Sequence, residues 1–377
     1  MDGVAGAICD AGDDACVTTR VIKMIKKRKY TVAVVGATGA VGTEMLRVLH
    51  ERRFPVKGLQ LLASAKSAGR RLSWNGSTYR VQELTGRAFD GIDVALFSAG
   101  AGRSLEFAPQ AVKRGAVVID NSSAFRMAQD VPLVVPEVNP HALADHQGVI
   151  ANPNCSTIIM LVALAPLHRT ATIRRIVVST YQSVSGAGAK AMAQLYRETK
   201  EVLRRIRITK TTLRVEPRLG VSGKGSGGPL PQQIAFNVIP QVDVFLENRY
   251  TKEEMKMVQE TRKILEAPEM RVAATCVRVP VFLAHSESIW IETERTLEVE
   301  EARTLLRKAP SVRLVDDPAA GRYPLPVDAG GRDEILVGRL RKDESVANGL
   351  ALWVSGDNLR KGAATNAVQI AELLTRG

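Results

Sequence analysis

The chain has 377 residues, 45% hydrophobic and 24% charged, which is length and apolar material enough for two packed domains of a soluble globular protein. A formal net charge of +13 raises nucleic acid as a partner, yet the basic residues are dispersed, only Lys23 to Lys29 forms a run, and aromatic residues are not interleaved with them, so small anionic ligands are expected instead. No apolar run reaches membrane-spanning length, and Cys9, Cys16, Cys155 and Cys276 lack the spacing of a metal site or disulfide framework; a reducing, cytoplasmic setting without metal or membrane is expected.

Residues 1–29 carry Asp2, Asp10, Asp13 and Asp14, suit neither a secretory signal nor a transit peptide, and read as a poorly ordered extension. Tyr30 to Val35 is β-rich and leads into Gly36-Ala-Thr-Gly39-Ala-Val-Gly42 and then a helical pattern from Thr43 to Glu51. Strand, glycine-rich turn and helix in that order make a phosphate-binding unit, although GxxGxxG departs from GxGxxG and a tight turn without a ligand is the alternative. A second strand, Gly58 to Ala63, ends where the ribose of a bound dinucleotide would lie. The chain there reads Ser64-Ala-Lys66-Ser67-Ala-Gly-Arg70-Arg71 in place of the acidic residue of an NAD site, which suits a 2′-phosphate or else is a solvated basic turn.

A hairpin at Asn75-Gly76, a buried strand Ile92 to Phe97, a turn from Ser98, a helix to about Arg114 and a strand Ala116 to Asp120 continue the alternation. The expected fold is α/β: a Rossmann-like, doubly wound parallel sheet, whose ligands lie beyond the carboxyl ends of its strands, near Ser98 and Asn121 to Arg126. At Asn152-Pro-Asn-Cys155-Ser-Thr157 an extended approach meets an apolar run to Leu167, so Cys155 is expected near a helix N-terminus, where backbone N–H groups favour a thiolate.

Beyond Cys155 the runs Arg175 to Gln182 and Arg271 to Leu283 lengthen and the alternation stops, which points to a second, α+β domain, one that the resemblance given below implies is the catalytic and dimerisation domain. The limits expected are 30–152 plus 348–377 for the cofactor domain and 153–347 for the second. Met192 to Leu203 is amphipathic and suited to a partner subunit, and Gly220 to Gln232 has the composition of a loop or lid. Among five histidines, His285 stands in a polar turn as a base for the thiol, but seven residues after Arg278 it would face the opposite side of one strand unless the chain bends.

GATGAVG at 36–42, DNSSAFR at 120–126, NPNCST at 152–157, Gln182 in STYQSVSGAG, FNVIPQ at 236–241, TKEEMK at 251–256 and the Arg278/His285 pair together resemble aspartate-β-semialdehyde dehydrogenase, most like the branch of Gram-positive bacteria, over about residues 30–375. The resemblance implies Cys155 as nucleophile, His285 as general acid and base, and Gln182 as the residue orienting the intermediate. It implies Arg278 on the substrate carboxylate, Glu253 on the amino group, and Arg126, Asn154 and Lys256 on phosphate. NADP would be held by Gly36, Thr38, Gly39, Ala40, Val41, Gly42, Ala63, Ser64, Lys66, Ser67, Ser98, Ser185, Gly186, Asn358 and Asn366. The reaction implied is reversible, NADP-dependent reductive dephosphorylation of β-aspartyl phosphate to aspartate β-semialdehyde and inorganic phosphate by a homodimer or homotetramer, with N-acetyl-γ-glutamyl-phosphate reductase as the alternative.

Overall fold

A computed structural model describes residues 25, 27–208, 213–214 and 228–375; the expectations for the N-terminal extension, and for most of Gly220 to Gln232, lie outside these residues. The first unit runs β1 (Tyr30–Val35), α1 (Ala40–Glu51), β2 (Val56–Ala63), the hairpin β3 (Arg71–Trp74) and β4 (Ser77–Arg80), β5 (Gln82–Glu83), β6 (Val94–Phe97), α2 (Ala101–Lys113), β7 (Val117–Asp120) and β8 (Val149–Ala151). Six of its strands form one sheet in the order β5-β2-β1-β6-β7-β8, every pair parallel. The strands of its middle are nearly continuous in Val, Ile, Leu and Ala because both faces are covered, as a parallel sheet between helices requires.

The second unit contains α3 (Cys155–Ala171), β9 (Ile173–Gln182), α4 (Ala189–Arg205), the short pair β10 (Arg207–Ile208) and β11 (Leu213–Arg214), α5 (Lys252–Ile264), β12 (Arg271–Arg278), β13 (His285–Thr293), α6 (Val299–Lys308), β14 (Val312–Leu314), α7 (Pro326–Ala329), β15 (Ile335–Asp343) and β16 (Gly349–Gly356). Its six-stranded sheet, β12-β9-β13-β16-β15-β14, is mixed. Helix α3 is apolar around its whole circumference because it lies in the main core, between the inner sheet face and α5 and α6.

Two expectations give way here. Residues 349–356 form a strand inside the second sheet, so the chain returns to the first unit only after Gly356; there α8 (Thr365–Thr375) packs against β1 and α1. The amphipathic stretch of α4 does not await a partner along its whole face, since Ala191, Leu195 and Val202 pack on this chain's own Leu230, Ile234 and Ile239. Among the described residues no helix is long and apolar enough to cross a membrane, and no His, Cys, Asp and Glu cluster could hold a metal.

Candidate active site

Pro153 keeps the chain extended as it leaves β8, and Asn154 then caps α3, its Oδ1 accepting from the backbone N–H of Ser156 at 3.0 Å and of Thr157 at 3.2 Å. Cys155 is the first residue of the helix and opens on a cavity of about 380 Å³ between the two units. Burial, and then the charge of Glu253, push its thiol up to about 12, against the pull of Arg126, Arg278 and the Ser156 N–H. The free chain therefore carries a thiol where a thiolate was expected.

The edge of the second sheet supplies the facing wall. Arg278 ends β12 opposite Gln182 of β9, and Ser286 of β13 pairs with Tyr181, so Arg278, Gln182 and His285 stand side by side on three adjacent strands. The spacing problem disappears because residues 279–284 turn the chain from one strand to another. Ala284 takes a left-handed φ of 68° in that turn, fixed by its N–H to Asn358 Oδ1 at 3.2 Å. The Ser183 N–H donates to His285 Nδ1 at 3.1 Å, so the proton of the neutral ring sits on Nε2, a buried atom without a partner. Burial and then Arg278 lower the ring to about 3, which keeps it neutral. At rest it is a donor, and taking a proton at Nε2 requires the ring proton to leave that atom first. Gly186 lies directly against both groups and leaves them room: a Cβ there would lie 3.0 Å from Arg278 Nη1 and 3.2 Å from His285 Nε2.

Helix α5 closes the third side. Thr251 and Glu254 form the capping box, and Glu254 also accepts from the Cys276 N–H, so it faces away from the cavity. Glu253 Oε1 instead accepts from Asn154 Nδ2 at 2.8 Å and Gln182 Nε2 at 3.3 Å, and its Oε2 from Lys256 Nζ at 3.0 Å. Burial opposes its charge, but Lys256 and Asn154 hold the carboxyl below its usual range. Lys256 also donates to Asp243 at 2.9 Å, an acidic residue of the cavity that the sequence reading overlooked. Arg126 enters from beyond β7, with Nη2 on the Asn121 carbonyl at 2.8 Å and Nη1 on Glu260 at 2.9 Å. The cavity thus gathers Cys155, Gln182, Arg126, Asn154, Glu253, Lys256, Arg278, Ser98, Val41, Ser185, Gly186 and Asn358, with His285 buried behind Gly186.

A second cavity, of about 360 Å³, lies over the carboxyl ends of β1 and β2 and is lined by Gly36, Thr38, Gly39, Ala63, Ser64 and Ser98. Gly36 has φ +83°, and a Cβ on it would lie 2.3 Å from the Ser98 carbonyl, so only glycine permits this close approach. These residues fit a dinucleotide phosphate at the start of α1. Ser98 lines both cavities and connects them. Glu83 and Arg103 also line this one and were missed, while Lys66 and Ser67 lie outside its lining. Asn366 is the clearest displacement from expectation: fully buried, it donates to Val134 O and Asn152 Oδ1 and accepts from Lys361 Nζ, away from both cavities. It supports the Asn152 turn and has no open face for a cofactor.

Two family models match the chain: a semialdehyde dehydrogenase NAD binding domain over residues 31–146 and a semialdehyde dehydrogenase dimerisation domain over residues 164–361. Aspartate-semialdehyde dehydrogenase of Aquifex aeolicus is 54% identical over 92% of this chain and 98% of its own length, and that of Bacillus subtilis is 51% identical over 93% and 98%. The solved structure of aspartate semialdehyde dehydrogenase II from Vibrio cholerae, complexed with ASA, has 48% identity and a TM-score of 0.83 over 92% of this chain and 98% of that one. With a cysteine at a helix start, a facing Arg-Gln-His row and a glycine-rich strand-to-helix turn already in place, these matches establish that the chain belongs to the aspartate-semialdehyde dehydrogenase family.

Proposed function

We propose that the protein interconverts aspartate β-semialdehyde plus phosphate and β-aspartyl phosphate, with NADP as the redox partner. The observation that carries this reading is the arrangement of charge around Cys155: Glu253 on one side, Arg278 on another, and Arg126 with Lys256 beside them, all opening on one cavity. A zwitterionic substrate needs one carboxylate and one cation, and a phosphate needs further cations.

In the oxidative direction Cys155 Sγ adds to the aldehyde carbon and the thiol proton ends on the aldehyde oxygen, giving a hemithioacetal. His285 polarises that oxygen through Nε2–H, and Gln182, fixed by Glu253 and Thr180, holds the adduct. NADP, which Gly36, Thr38, Gly39 and Ser64 would hold, would supply the hydride acceptor; as the adduct carbon loses hydride its hydroxyl proton passes to the bound phosphate dianion or to water, because His285 Nε2 is already protonated, and a thioester is left on Cys155. A phosphate oxygen held at Arg126 and Lys256 then attacks the thioester carbon, the C–S bond breaks, and the Cys155 thiolate leaves and takes up a proton from phosphate or water, giving the acyl phosphate. Biosynthesis runs these steps in reverse.

Asn154 has little left for phosphate, since its Oδ1 caps α3 and one Nδ2 hydrogen is engaged by Glu253; it acts chiefly by orienting Cys155. The outer face of the second sheet, where Tyr181, Tyr323 and Leu325 are exposed around Trp353, supports pairing of two copies, and a cytoplasmic location accords with a free catalytic thiol. The test is NADPH formation from NADP and phosphate with aspartate semialdehyde set against N-acetylglutamate semialdehyde. Activity confined to the N-acetylated compound would overturn the reading, because an acylated amine has no charge to place on Glu253.

A further inference from the structure

We propose that Glu260 is a positioning residue that sets the phosphate-binding arginine and the nucleophile's turn against each other. The inference rests on the reading above, in which Arg126 receives phosphate.

Glu260 lies seven residues after Glu253, two turns along the same face of α5, and is 1% exposed. Its Oε1 accepts from Arg126 Nη1 at 2.9 Å and its Oε2 from the Asn154 backbone N–H at 2.6 Å. The two oxygens therefore join a residue beyond β7 to the residue before Cys155, which otherwise approach the cavity on separate segments. Asn154 is gripped twice by one helix, at its amide side chain by Glu253 and at its backbone by Glu260. A turn further on, Lys263 Nζ donates to the carbonyls of Arg126, Ala128 and Val131 at 2.9, 2.7 and 2.8 Å, pinning the segment that carries Arg126.

The chemistry explains why a carboxylate stands there. A guanidinium presents its donors in a rigid plane, so one edge fixed by Glu260 and the Asn121 carbonyl determines where the remaining donors point. Without that anchor the remaining donors of the guanidinium are no longer held toward the incoming anion, so phosphate is gripped less tightly. Glutamine at 260 can keep the Asn154 bond with its carbonyl oxygen, yet its NH₂ then meets Arg126 donor against donor. Aspartate keeps the charge but is one carbon too short to span both partners.

The experiment is steady-state NADPH formation by the full chain, on aspartate semialdehyde with phosphate varied, for wild type, Glu260→Gln, Glu260→Asp, Arg126→Ala and the pair Arg126→Ala with Glu260→Gln. Glu260→Gln, which keeps the Asn154 bond, is expected to raise the phosphate KM about tenfold, with kcat at saturating phosphate, semialdehyde KM and NADP affinity close to wild type; Glu260→Asp should raise the phosphate KM comparably. In the Arg126→Ala background Glu260→Gln should add little to the phosphate KM, because the two act as a unit. An unmoved phosphate KM, a loss confined to kcat, or additive effects in the double variant would each overturn the proposal. If Glu260→Gln fails to fold, the aspartate variant decides. A wild-type chain that forms no NADPH in response to phosphate would defeat the dehydrogenase reading itself, whereas a normal wild type with unmoved variants defeats only the role of Glu260.

Discussion

Replacing Glu253 by Gln should move two properties of the site in opposite directions. The carboxylate is the second cause, after burial, of the raised Cys155 thiol, and in the function proposed above it receives the substrate's ammonium group. Removing its charge relieves a thiolate–carboxylate repulsion of roughly 1–3 kcal/mol, the scale for charges several ångströms apart in a partly screened interior, and so lowers the thiol by about one to two pH units. It also leaves Lys256 with Asp243 as its remaining partner, which adds positive potential and has the same sign. Each unit gained multiplies the thiolate fraction by about ten and costs about threefold in intrinsic nucleophilicity, so alkylation of Cys155 by the neutral reagent iodoacetamide at pH 7 should quicken by about three- to tenfold. kcat/KM for aspartate semialdehyde should meanwhile fall by about tenfold or more, as a charge-assisted bond to the ammonium group is lost. The assays are the rate of carbamidomethylation at Cys155, followed by peptide mass, and steady-state NADPH formation on the same preparation. A variant whose thiol reacts no faster than wild type would refute the electrostatic account of the site, whatever its activity.

The wild-type thiol, raised to about 12, should show alkylation rising with pH without a plateau up to pH 10; a plateau near neutrality would mean that the resting group is already a thiolate. His285, lowered to about 3, should give no limb to the activity–pH profile between pH 5 and 8, and a limb there that vanishes in His285→Asn would contradict its neutral resting state. Because the unfolded chain's histidine takes up a proton near pH 6.5 while the folded ring does not, His285 lowers folded-state stability progressively as pH falls from about 6.5 towards 3, and His285→Asn should flatten that part of a melting-temperature curve. Ser64→Ala with Lys66→Ala should weaken NADP binding more than NAD binding; equal losses, or loss from Arg103→Ala alone, would move the 2′-phosphate contact from the Ser64 turn to the other wall of that cavity.

The parallel sheet, the glycine turn and the helix start at Cys155 were legible because each is a local pattern: a period, a turn residue or a cap acts on neighbours in sequence. His285 stood out by its polar turn, but its alignment with Arg278 and Gln182 was legible only through family resemblance. The bend that places Arg278 and His285 on different strands is made by residues 279–284, and the pairing that aligns both with Gln182 is long-range. Tertiary context also reversed one physical expectation, since a helix N-terminus should favour a thiolate but burial and Glu253 outweigh it.

Glu260 and Asn366 fail in opposite ways for one reason. A glutamate three and seven residues from other charges on a polar helix reads as a solvated face, and nothing local says that this face is the one turned inward. An asparagine in the last helix reads as a cofactor contact by analogy, yet its amide is fully engaged by Val134, Asn152 and Lys361. Burial of polar groups is decided by which elements meet, and the sequence carries that only as the sum of its packing. Both residues are nevertheless joined to the site through one network: Asn366 to Asn152, Asn152 to Asn121, the Asn121 carbonyl to Arg126, and Arg126 to Glu260. Since every link is a hydrogen bond between buried or partly buried groups, removing an interior member such as Asn152 leaves unpaired partners on both sides. Asn152→Ala should therefore disturb the turn before Cys155 and the seat of Arg126 together, raising the phosphate KM and lowering kcat in one variant, where Glu260→Gln raises the KM alone. Wild-type kinetics in Asn152→Ala would mean that the Arg126 seat is held by Glu260 and Lys263 without the asparagines.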